Sequence, residues 1–153
     1  MGLADIRAEL KTIIAGVIGI GPIHDYERWS ADWNSYLSFF KIPGQENING
    51  WTITRVSTSE EAHAQNQNWR RHKFLIKGHY SQKDSAGSEK VFQDLIEAVC
   101  HRLRINPQLN GVAAQSDPPQ VETVETRFFG DILCHYAEIS IVVQEDETFV
   151  PLT

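Results

Sequence analysis

From Ile132 to Gln144 the side chains change character at nearly every step: Leu133, Ala137, Ile139, Ile141 and Val143 fall on one face, and Cys134, Tyr136, Glu138, Ser140 and Gln144 on the other. A period of two is the mark of a half-buried β-strand. Within residues 118–145 a second long strand precedes it, and Phe128-Phe129-Gly130-Asp131 forms the turn between them. At about 3.3 Å per residue the strand from Ile132 would run about 43 Å. A compact chain of 153 residues has a diameter of only roughly 38 Å. The sequence therefore predicts a C-terminal ribbon that overhangs its own domain, with unpaired backbone groups that a neighbouring subunit is placed to cover.

Acidic charge gathers in the same ribbon. Residues 1–117 carry 13 acids and 13 bases, whereas residues 118–153 carry 7 acids (Glu122, Glu125, Asp131, Glu138, Glu145, Asp146 and Glu147) against Arg127 alone. The net charge of −6 thus belongs to the ribbon and tail. Such a surface repels a phosphate backbone, which argues against tight nucleic-acid binding despite the stretch Trp69-Arg70-Arg71-His72-Lys73. The bases of that stretch alternate along a strand. Acidic protein surface is the better match, and the ribbon of a neighbouring copy offers one.

The length fits one domain over residues 1–153, large enough to bury a core without disulfides or metals. No apolar run approaches the roughly 20 residues of a membrane helix, so no membrane partner is expected. Met1-Gly2-Leu3-Ala4-Asp5-Ile6-Arg7-Ala8-Glu9 places acids where a secretion signal would be basic and then apolar, which reads as mature, cytosolic protein. Cys100 and Cys134 lack the CxxC spacing of a metal or redox site, and buried, reduced thiols are expected.

Along the chain, Leu3, Ile6, Leu10, Ile13, Ile14 and Val17 recur at helical spacing, predicting an amphipathic helix over 3–17 that ends at Gly16, Gly19, Gly21 and Pro22. Residues 23–40 are dense in aromatics without a clean period, and read as a short strand followed by an irregular or short helical segment. Residues 41–50 form a turn-rich loop and 51–56 a strand. The polar residues 57–68 are read as a projecting loop. The next strand, 70–80, sets His72, Phe74, Ile76 and Tyr80 on a core face, with Arg71, Lys73, Leu75, Lys77 and His79 on the other. Asp84, Ser85 and Ser88 are N-cap candidates for a second helix with the stripe Val91, Phe92, Leu95, Ile96, Val99 and Leu103. Residues 106–119 are a turn-rich connection.

Few residue groupings suggest chemistry. His24-Asp25-x-Glu27 offers three metal-ligand types, but an extended chain sends His24 to one face and Asp25 and Glu27 to the other. Packing or interface roles for Tyr26, Trp29 and Trp33 are the simpler reading. Cys100-His101 and Cys134-His135 invite a zinc reading, which adjacent-residue geometry opposes on both helix and strand. No Gly-Xaa-Ser-Xaa-Gly elbow, Walker-type loop or dinucleotide fingerprint is present, and the chain is read as a non-enzyme with no cofactor.

The order helix, strand, strand, long helix, strand, strand, with the segments 23–29, 88–99 and Phe128-Phe129-Gly130-Asp131-Ile132-Leu133-Cys134-His135-Tyr136, resembles tail-terminator and tail-completion proteins of tailed bacteriophages. The resemblance implies an α+β fold, with two helices packed on a mixed or antiparallel sheet and a long C-terminal β-hairpin. It implies a structural virion protein of tail or neck, assembled in the host bacterial cytoplasm. Copies would form a ring-shaped homo-oligomer, commonly a hexamer, that caps the tail tube protein and presents a docking surface to a neck or connector protein, with DNA only in passage. The residues expected at subunit or partner contacts are Arg71, Lys73, Lys77, Glu122, Glu125, Asp131, Glu138, Trp29 and Trp33. A head–tail connector of the same scaffold is the structural alternative, and a small-ligand-binding or enzymatic α+β domain is the alternative of another class.

Overall fold

Three long strands, β2 (Asn49–Ala64), β3 (Gln67–Ser81) and β6 (Ile132–Thr148), form an antiparallel ribbon around which the rest of the chain is arranged. The computed structural model describes residues 2–153. A two-residue strand, β1 (Ile23–His24), lies parallel beside β2. On the far edge of β6, β4 (Gln115–Ser116) and β5 (Gln120–Phe129) follow one another end to end, separated by Asp117, Pro118 and Pro119. The result is a mixed six-stranded sheet in an α+β fold.

Helices α1 (Leu3–Ala15) and α3 (Ser88–Arg104) cover one face of this sheet. Their apolar stripes, including Ile6, Leu10, Ile13 and Ile14 from α1 and Phe92, Leu95, Ile96, Val99 and Leu103 from α3, are buried as their spacing predicts. They meet in-register rows from the strands: Ile53 beside Ile76 and Ile139, and Phe74 beside Ile141. Trp51 fits because its register partner is Gly78, where an added Cβ would lie 2.5 Å from the indole. A side chain at that position would overpack the core. The two helices are also joined polar to polar, since Arg102 Nε donates to the Ile13 carbonyl at 2.7 Å and sets a cation at the negative end of α1.

The opposite face is covered only at one end, by the short helix α2 (Trp33–Ser38) and its flanking aromatics. Asp32 caps this helix by accepting from the Ser35 N–H at 3.2 Å. Leu37, Phe40, Ile48 and Cys134 form a second, smaller core there, with Tyr36, Phe39, Phe129 and Ile132 packed around it. Cys100 belongs to the main core, so the two thiols are free, buried and apart. Burial pushes the Cys134 thiol up to about 11.

Five expectations are corrected. Residues 57–68 are not a loop: β2 runs to Ala64 and β3 starts at Gln67, because Gln65 and Asn66, the latter at φ +61°, close a tight turn and the polar side chains sit on both faces of a solvated ribbon. The strand from Ile132 is not half-buried along one face, since Cys134, Tyr136, Ser140 and Gln144 are buried as well as Ala137, Ile139, Ile141 and Val143. Leu133, assigned inward, is instead exposed, because it lies beyond the reach of α3. The overhang is real in length, about 56 Å for the 17 residues of β6, but the projecting end belongs to β2, β3 and β6. β5 pairs only with residues 132–140 of β6, away from the projecting end. The second helix is preceded by Gly87 at φ +63°, with Ser88 already its first residue, because Asp84–Ala86 coils as a 3-10 turn.

Candidate functional site

The sheet face opposite α1 and α3 holds most of the residues expected at contacts. Where α2 stops short of covering it, a cleft of about 290 Å3 opens, floored by Tyr36, Phe40, His79, Phe129 and Tyr136 and rimmed by Glu27, Arg28, Lys77 and Arg127. Its floor is a chain of ring contacts: His79 lies 4.3 Å from Phe129 and 4.8 Å from Tyr136, and Phe40 stands edge-on to Phe129 at 5.2 Å. The ribbon's turn is clasped to α2, for Gly130, at φ +67°, lies under Trp33 so closely that an added Cβ would be 2.0 Å from the indole.

Electrostatics in the cleft follow from partial burial beside cations. Burial, then the nearby charges of Arg127 and Lys77, lower His79 to about 4, so the ring is neutral at pH 7. Burial and a 2.6 Å hydrogen bond donated to Glu138 raise the Tyr136 hydroxyl well above its ordinary value. Burial, then the charge of Glu27, also raises Tyr36. Arg127 stacks over Tyr136 at 4.0 Å and pairs with Glu125 at 3.0 Å. Arg28 lies 3.9 Å over Phe39 and reaches His24 Nδ1 at 3.3 Å. Among the described residues neither Arg28 nor Lys77 has a carboxylate ion-pair partner.

The expected contact residues separate into two groups. Lys77 and Glu138 are register partners on β3 and β6, and Glu125 lies beside them, so the structure brings these three to the cleft with Trp33 at its margin. Lys73 is exposed farther along the same face, and Glu122 accepts from the Ser140 hydroxyl at 2.6 Å. Arg71 is engaged within its own chain, bonded to Gln144 and Asp117. Asp131 lies in the ribbon turn, and Trp29, 79% exposed, stands apart from the aromatic floor.

The sequence reading missed a charged cluster at the projecting end. Glu145, nearly buried, receives Arg70 Nη1 at 2.8 Å and shares a 2.9 Å hydrogen bond with buried His72, while Arg70 Nε also reaches Glu60 at 2.8 Å. Thr58 Oγ1 lies 2.8 Å from His72 Nδ1 and completes its ring contacts. The signal was present as a register, since Glu60, Arg70 and Glu145 face one another once the strands extend past residue 57.

Two of the metal-ligand candidates, His24 and His135, are engaged in other bonds. His24 uses Nε2 on the Phe39 carbonyl at 2.7 Å, and His135 uses Nε2 on Ser88 at 2.8 Å. Among the described residues no group of three or more His, Cys, Asp and Glu side chains is placed to hold an ion. No helix among them is long and apolar enough to cross a membrane.

The sheet also keeps two bare edges. Among the described residues β1 covers β2 only at Trp51 and Thr52, and the outer edge of β5 has no partner strand. Val121, Val124 and Phe128 of β5 are exposed, as is Val56 of β2. Compared with models of known protein families and with curated proteins, the chain matches none.

Proposed function

We propose that this chain is a structural subunit of a ring, acting as a tail-terminator or tail-completion protein of a tailed bacteriophage. The observation that carries the reading is the pair of bare edges on opposite sides of one sheet. Such edges invite another strand, and a subunit with one on each side makes a head-to-tail contact that closes into a ring when the rotation permits. Strand direction supports this. β5 is antiparallel to β6, β6 to β3, and β3 to β2, so β5 runs opposite to β2. Rotation about an axis along the strands preserves those directions and brings β5 of one copy against β2 of the next in the antiparallel sense.

Lys73 and Lys77 on the open face, and the acidic residues of the ribbon, give the contact charge of both signs. The ring would cap the tube protein and present its other side to a neck or connector protein, with DNA passing through. Mass photometry and negative-stain imaging of the purified protein test the reading: a uniform ring with a central hole is expected, and a monomer at all concentrations, alone and with tube protein, overturns it. The Lys73→Glu, Lys77→Glu double variant should remain folded and assemble more weakly. Unchanged sedimentation of that variant at low salt counts against the open face as a contact.

A further inference from the structure

We infer that the aromatic cleft on the open sheet face is a binding site for a small planar carboxylate, a flat ring system that carries a single negative charge. The inference does not rest on the ring reading, because every residue it uses belongs to one chain. The rings that line the cleft come from separate parts of that chain: Tyr36 from α2, His79 from β3, Phe129 from β5 and Tyr136 from β6. They enclose a concave space of about 290 Å3, at the small end for ligand sites, which admits roughly one or two fused rings.

The space is shaped for a flat guest. His79 and Phe129 are stacked 4.3 Å apart at an interplanar angle of 27°, and Tyr36 is stacked on Trp33 at 24°. Walls made of rings packed against one another are stiff, so a planar molecule is received with little further loss of side-chain freedom. At the rim Arg28 is already placed on a ring, its guanidinium 3.9 Å over Phe39.

The rim sets the charge. Arg127 is paired with Glu125 and stacks over Tyr136, whose hydroxyl donates to Glu138. That leaves Arg28 and Lys77, which have no carboxylate ion-pair partner among the described residues, with Glu27 as the one carboxylate of the lining. Cations held close without partners repel one another, and an anion between them relieves this. The floor reports the same sign, for after burial the charges acting on His79 are those of Arg127 and Lys77. Thr52 is the register partner of Lys77, so a hydroxyl stands beside the ammonium on one wall. Ammonium, guanidinium and hydroxyl can all donate to a carboxylate, whereas a cation finds no use for the first two. A doubly charged phosphate monoester would bring a second negative charge against Glu27, which favours the monoanion.

The test is calorimetric titration of the full chain with three matched compounds at low salt. Naphthoate is expected to saturate with a dissociation constant of about 1 mM or tighter. Naphthamide keeps the rings without the charge, and the fully hydrogenated decalin carboxylate keeps the charge without the flat rings. Each should bind about tenfold more weakly or worse. Arg28→Gln with Lys77→Gln, both at partly exposed positions, should weaken naphthoate about tenfold while chemical denaturation shows the fold retained. Titration of the parent without saturation, equal binding of the amide or of the decalin acid, or equal binding of naphthoate by the folded double variant overturns the inference. Should that variant fail to fold, the comparison of the three compounds on the parent decides alone. Sedimentation of the same samples reads assembly separately. A chain that binds naphthoate yet never assembles upholds the cleft and removes the ring, and a ring that binds none of the three does the reverse.

Discussion

The same three strands are held together in two different ways along their length. In the body, Ile53, Ile76 and Ile139 form a buried apolar row under α1 and α3. Toward the tip, the equivalent row is Glu60, Arg70 and Glu145 with no helix above it. Apolar burial is non-directional and scales with area, whereas the charged row depends on each partner being present and ionised. A single backbone ladder therefore joins a rigid body to an extension whose order rests on a few side chains.

Phe74→Ala should have the largest effect, costing about 3–5 kcal/mol in chemical denaturation because a fully buried ring leaves a cavity beneath the helices. A loss confined to the tip would contradict the division. Acidification comes next. His79 is lowered to about 4 when folded, below its ordinary 6.5, so the folded form gains from keeping it neutral above 6.5. That gain is lost as pH falls from 6.5 through 4, at a cost of order 3 kcal/mol. His79→Phe should flatten this part of the stability profile, and an unchanged profile would remove the histidine from the body's accounting.

Glu145→Gln is expected to cost about 1–2 kcal/mol, since it leaves Arg70 and His72 with weaker partners at a site that is only partly dry. Hydrogen exchange should quicken at residues 58–70 and stay unchanged around Ile76 and Ile139. Uniform quickening would mean that the two regions unfold together. The smallest effect is Asn66→Gly, within about 0.5 kcal/mol, because glycine accepts the positive φ of the turn at least as readily as asparagine.

Much of the body was legible because its patterns are local. The stripes of α1 and α3 repeat at helical spacing, and His72, Phe74 and Ile76 alternate as a strand with one core face. The extension was not legible, because polar residues on both faces give no period and only pairing with β3 keeps Ser57–Ala64 in the sheet. The cleft was half legible. Its aromatics and Lys77 were evident as residue types, yet Arg127 and His79 came into it through the register of β3, β5 and β6, which one strand's alternation cannot specify. Leu133 was misplaced for a related reason: the period gives the face, and tertiary cover decides whether that face is dry.

Pro118 and Pro119 stand between β4 and β5 on the outermost edge of the sheet. Two successive residues there have no amide hydrogen to offer, so a foreign chain zipping along this margin meets missing rungs and stops. Uncontrolled fibre growth is thereby discouraged next to exposed valines that would otherwise encourage it, and an added strand would be confined to the ten residues of β5.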